Sequence, residues 1–64
     1  MNSIKKLREE LERKRDELIR EYQKIERLYK KNEISTEKYN EYKHQIERQL
    51  VEIMDRLIQL KFIS

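Results

Sequence analysis

The sequence predicts an all-α protein: a two-helix antiparallel coiled-coil hairpin that dimerises into a four-helix bundle. Three observations carry this expectation. Two long stretches place their apolar residues in steps of three and four, the spacing of one helix face. Between them, Lys30-Lys31-Asn32-Glu33-Ile34-Ser35-Thr36-Glu37 is the one place where helical patterning stops and restarts. The second stretch also carries more apolar surface than a single partner helix can cover. The expected layout is one domain over residues 1–64, with helix one at about 3–31, a turn at 32–35 and helix two at about 36–63.

The central stretch has the chemistry of a helix end followed by a helix start. Lys30 and Lys31 suit the last turn of the first helix, facing the negative end of its dipole. Asn32 can adopt the left-handed conformation that closes a helix, a role usually given to glycine, which this chain lacks. Ser35 can cap the second helix, with Glu37 in its first turn. Ile34 and Tyr39 then fall where a hydrophobic staple would hold the entering chain.

In the first helix, with Ser3 as its cap, the apolar row is Ile4, Leu7, Leu11, Leu18, Tyr22, Ile25 and Tyr29. Between Leu11 and Leu18 only Arg15 falls near the seam, where its aliphatic stem can cover apolar surface. The extra four-residue step there predicts local unwinding of the supercoil. Glu9–Arg13, Glu10–Lys14, Asp16–Arg20 and Glu26–Lys30 are spaced as helix-stabilising ion pairs.

In the second helix the row is Tyr39, Tyr42, Ile46, Leu50, Ile53, Leu57, Leu60 and Ile63. Laid antiparallel, the rows pair Tyr29 with Tyr39, Ile25 with Tyr42, Tyr22 with Ile46 and Leu18 with Leu50. Arg15 then meets Ile53, Leu11 meets Leu57, Leu7 meets Leu60 and Ile4 meets Ile63. One register satisfies every layer to within a residue, in agreement with the turn chemistry. Val51, Met54, Ile58 and Phe62 form a further row on helix two, and these four are the expected oligomer interface.

The chain has 64 residues and no cysteine, so it is near the lower limit for a self-sufficient core and has no disulfide to help it. Oligomerisation is the common remedy at this size. Charged residues make up 45% and mean hydropathy is −1.17, values compatible with disorder taken alone. The regular placement of the apolar 36%, and the absence of both Gly and Pro, argue for helix instead. Missing Ala, Gly and Pro suit an AT-rich genome, and the density of Lys, Arg and Glu suits a thermophile. An archaeal, viral or plasmid source is the corresponding expectation.

The net charge of +3 permits an acidic partner without requiring one. Lys6, Arg13, Arg20 and Arg27 recur at the heptad interval on the face opposite the apolar row, with Lys24 and Lys31 beside them. This is the candidate nucleic-acid face; the plainer reading is a solvated charged face, since no aromatic lies among these residues to stack on bases. The first reading of function is therefore a small non-enzymatic interaction or oligomerisation module, with a possible protein partner. A dimeric nucleic-acid-binding regulator is the alternative.

Catalytic and metal chemistry find little footing. Glu41 and His44 have the Glu-x-x-His spacing of di-iron bundles, but they project away from the seam. His44 is the only histidine, so an ordinary zinc site within one chain is excluded. Ser3, Ser35 and Ser64 lie at caps or the terminus, away from any base. Tyr22, Tyr29, Tyr39 and Tyr42 fall on the seam, where core packing is their expected role. No cofactor, metal or small-molecule substrate is expected. The apolar residues are interrupted too often for a membrane span, and no secretory signal or lipidation motif is recognisable, so a cytoplasmic protein is expected.

Leu28, Ile34, Ser35-Thr36-Glu37, Tyr39 and Lys43 resemble the SHOCT motif, a short helical hairpin, over roughly residues 25–46. That family's pattern has a leucine, a glycine, Ile-Thr, acidic residues, an aromatic and a lysine. Here the Asn32-Glu33 region stands in place of the glycine, and Lys38 in place of a second acid. The resemblance implies an oligomerisation or interaction module, and it brings no catalytic residues. In architecture and length, though not in sequence, the chain is also similar to the plasmid RNA-binding hairpin that regulates copy number, itself a dimeric four-helix bundle.

Overall fold

Helix α1 spans Ser3–Lys30 and α2 spans Thr36–Ile63, each of 28 residues, packed against one another as a hairpin 48 Å long and 15 by 11 Å across. The computed structural model describes residues 3–63, with side chains through residue 62. The expected contact of Ile4 with Ile63 therefore lies outside the described side chains.

The turn is closed by two capping motifs back to back. Asn32 has φ of 59°, the left-handed conformation. Its amide donates to the Tyr29 carbonyl at 3.0 Å, and the Glu33 amide donates to the Leu28 carbonyl at 2.8 Å. This pair of bonds is the Schellman motif with Asn32 in the place usually held by glycine. Helix α1 thus ends at Lys30, a residue before the expected boundary, and Lys31 belongs to the turn. Three residues on, the Lys38 amide donates to Ser35 Oγ at 3.1 Å, and the Tyr39 amide to the Ser35 carbonyl at 2.9 Å. Ser35 is the N-cap, as its side chain predicts. Ile34 and Tyr39, on either side of it, both pack against the core.

Leu11, Leu18 and Ile25 are buried on α1, and Ile46, Ile53 and Leu60 on α2. Each set repeats at the interval of a heptad, marking one core position per helix. The second core position is half-buried throughout: Arg8, Arg15, Tyr22 and Tyr29 on α1, then Lys43, Leu50 and Leu57 on α2. Over the described residues the seam is therefore an unbroken heptad, and the expected interruption of the repeat in α1 is absent.

Two expected core residues are corrected by this arrangement. Leu7 is 43% exposed and Tyr42 is 41% exposed, so both flank the seam. Arg8 and Lys43 take the positions that apolarity alone would assign to them. A continuous heptad keeps both helices in register with one left-handed supercoil, whereas a stutter at each of these places would locally unwind it. Arg8 and Lys43 are both half-buried there, their long aliphatic stems covering apolar surface, and the Arg8 Nε is itself buried. The remaining expected core residues, Leu11, Leu18, Tyr22, Ile25, Tyr29, Tyr39, Ile46, Leu50, Ile53, Leu57 and Leu60, are all buried or half-buried.

With Arg8 and Lys43 in place, facing positions share one constant sum of residue numbers, the sum set by Tyr29 and Tyr39. Ile25 then faces Lys43, Leu18 faces Leu50, and Arg8 faces Leu60. The stacked pair Tyr29–Tyr39, adjoining the turn, anchors that register.

Candidate functional site

A two-helix seam leaves two long flanks, and the apolar surplus is concentrated on one of them. Arg8, Glu12, Arg15, Met54, Leu57, Ile58 and Lys61 line a single open groove, so Met54 and Ile58 of α2 share a flank with Glu12 of α1. On this flank Val51 is 60% exposed, Met54 46% and Ile58 51%. Phe62, 87% exposed, continues the row at the last turn of α2, turned further from the seam. Val51, Met54, Ile58 and Phe62 are thus left uncovered within the hairpin.

Helix α1 adds a residue that sequence reasoning missed. Ile19 is 41% exposed and lies one heptad beyond Glu12, which places it on the same flank as Met54 and Ile58. The seam register sets it level with the Leu18–Leu50 layer, next to Val51. Its signal was available: once Leu11, Leu18 and Ile25 are read as one repeating position, Ile19 can only be a flank residue. It was obscured because it directly follows Leu18 and belongs to no apolar row of its own.

Arg15 borders this groove from the seam, its Nε donating to Asp16 Oδ1 at 3.1 Å. Asp16 thus pairs with its neighbour rather than with Arg20. The groove has Met54, Leu57 and Ile58 on the α2 side, ending at Lys61, and charged residues of both signs along its α1 side. Such a mixture suits a helix that brings apolar residues and a few charges, and suits an enclosed small molecule less well.

The opposite flank mixes polar and apolar side chains. Glu21, Lys24, Leu28, Tyr42, Gln45 and Gln49 border it, together with Ile25 and Ile46 from the seam. Leu7, on the same heptad position as Leu28, lies further along it.

The outer face of α1 carries Lys6, Arg13, Arg20 and Arg27, all exposed, with Lys24 and Lys31 also exposed. Arg20, Lys24 and Arg27 line a shallow depression together with Glu17 and Glu21. The basic row is real as geometry, and acidic side chains interleave with it where it is densest.

Near the turn four aromatic and polar side chains interlock. Tyr29 and Tyr39 stack, Tyr29 Oη lies 3.0 Å from Thr36 Oγ1, and Lys43 Nζ sits 5.9 Å over the Tyr39 ring. The Tyr39 phenol is held above its ordinary value, chiefly by a hydrogen bond with the Tyr22 side chain and secondarily by burial. Both effects favour the neutral phenol. Among the described residues no cluster of His, Cys, Asp and Glu is placed to hold a metal ion, and Glu41 and His44 are both exposed. Among the described residues no helix is long and apolar enough to cross a membrane.

The fold and this flank define a class of protein, the antiparallel helical hairpin with one uncovered apolar side. Comparison with known protein families, with curated proteins and with solved structures finds no match.

Proposed function

We propose that the chain is a small non-enzymatic interaction module, a helical hairpin that dimerises through its apolar flank into a four-helix bundle. One observation carries this reading: α2 has two apolar faces, and α1 covers one of them. Val51, Met54 and Ile58 stay about half exposed on the other, with Ile19 alongside. Burying side chains of this size is worth roughly 1.5–3 kcal/mol each when complete. Three or four per chain therefore outweigh modest ordering costs, and a patch that repeats by symmetry closes most simply as a dimer. The resemblance to the SHOCT hairpin supports the same class of function.

Light scattering coupled to size exclusion tests it. The expected mass is twice the chain's 8.1 kDa, falling to a single chain in the Met54→Glu, Ile58→Glu double variant. A monomer mass for the wild type at micromolar concentration would sink the proposal.

The exposed basic row on α1 favours a second reading, a dimeric nucleic-acid-binding regulator. Pairing through the opposite side of the hairpin would leave this row outward in both copies. Retention of duplex DNA or RNA hairpins at about 50 mM salt, lost at higher salt and in the Arg13, Arg20, Arg27 charge-reversed variant, is the result this reading requires.

A further inference from the structure

Resting on the dimerisation reading above, we infer that the partner is a second copy of this chain laid antiparallel, α2 against α2, centred near Met54. The observation is a second heptad strip on α2. His44, Glu47, Val51, Met54, Ile58 and Lys61 follow one another in steps of three and four, and all six are exposed. These steps are those of a coiled-coil seam, so the strip is shaped to receive a helix running along it.

The strip has an apolar centre and oppositely charged ends. Val51, Met54 and Ile58 form the centre; Glu47 bounds it toward the turn, and Lys61 toward the chain's end. Glu47 and Lys61 stand at nearly equal distances from Met54. In an antiparallel pair each Glu47 comes opposite Lys61 of the other copy, and the two contacts are related by the dimer axis. A parallel pair would set Glu47 against Glu47 and Lys61 against Lys61, placing like charges at both ends. The apolar centre supplies affinity and the charged ends choose direction. Arg8, Glu12 and Arg15 border the same groove from α1.

A charge-reversal cycle, read as the dimer dissociation constant, tests the arrangement. Glu47→Lys and Lys61→Glu should each weaken the dimer roughly tenfold or more, and the double variant Glu47→Lys, Lys61→Glu should recover wild-type affinity. Both residues are exposed, and circular dichroism of each variant checks that helicity is kept. A spin label on Lys38→Cys gives an independent readout. At 1.5 Å per residue, the antiparallel pair separates the two labels by roughly 45–55 Å along the axis. Dissociation constants indifferent to the reversals, or labels closer than about 25 Å, overturn the antiparallel arrangement while the dimer itself stands. A wild-type protein that stays monomeric overturns both.

Discussion

Tyr29 and Tyr39 stack across the hairpin with ring centroids 4.4 Å apart and planes 13° from parallel. They are the first pair of facing seam residues after the turn, so their contact sets the layer from which every later layer is counted. An aromatic pair of this kind is worth about 0.5–1.5 kcal/mol beyond its buried area. Its larger consequence is positional. A slip of one residue here would put Leu7 and Tyr42 into the seam and turn Arg8 and Lys43 out of it.

The seam assignment predicts unequal costs for similar substitutions. Leu18, 3% exposed, should lose about 2–5 kcal/mol of stability on Leu18→Ala. Leu7→Ala should cost about 1 kcal/mol or less, because Leu7 lies on a flank. Arg8→Leu should stabilise the hairpin, by burying apolar surface at a core position. Thermal melts at one fixed protein concentration check all three, and equal losses for Leu7→Ala and Leu18→Ala would refute the continuous heptad.

Asn32 should tolerate only residues at ease with positive φ. Asn32→Val should cost about 1–2 kcal/mol, since a β-branched side chain clashes in the left-handed region. Asn32→Gly should keep the wild-type melting temperature or exceed it. A valine variant as stable as the glycine variant would mean that the turn is closed some other way.

Ser35→Ala removes the acceptor of the Lys38 amide and should cost about 1 kcal/mol. Ser35→Asp should recover most of the loss, since a carboxylate both caps and complements the helix dipole. Urea titrations followed by circular dichroism give the comparison. If aspartate fails to recover stability, the side-chain cap is not what Ser35 contributes.

The raised Tyr39 phenol predicts a pH dependence of stability on the alkaline side. Its pKa in the fold lies above the ordinary value of a tyrosine phenol, so folding favours the protonated form. The corresponding stability is present in full below about pH 10 and is lost as pH climbs through the folded value. Tyr22→Phe removes the principal cause, and should move the Tyr39 transition, followed by phenolate absorbance, down toward its ordinary position. No movement in that variant would assign the shift elsewhere.

The turn was legible residue by residue because its chemistry is local. Asn32, Ser35 and their neighbours act through bonds a few residues long, and no distant contact competes with them. The seam was legible where apolar residues and the heptad agree, as at Leu11, Leu18, Ile46 and Leu50. It was misread at Leu7 and Tyr42 because hydrophobicity and periodicity point to adjacent residues there. Periodicity prevails, since the supercoil is a property of the whole helix while one leucine is a local gain. Ile19 was missed for the converse reason: it follows a core leucine directly, and only its distance from Glu12 along the same face shows which way it lies.

An uninterrupted repeat also makes the hairpin a ruler whose length can be reset. Adding one heptad to α1 and one to α2 at facing places preserves every layer below and above the insertion. The turn is untouched, and the open end moves outward by about 10.5 Å. Lengthening one arm alone would leave two layers without their opposite numbers. The spacing between the turn and the apolar flank is thus a quantity that evolution or design can adjust in whole heptads, independently of what either end engages.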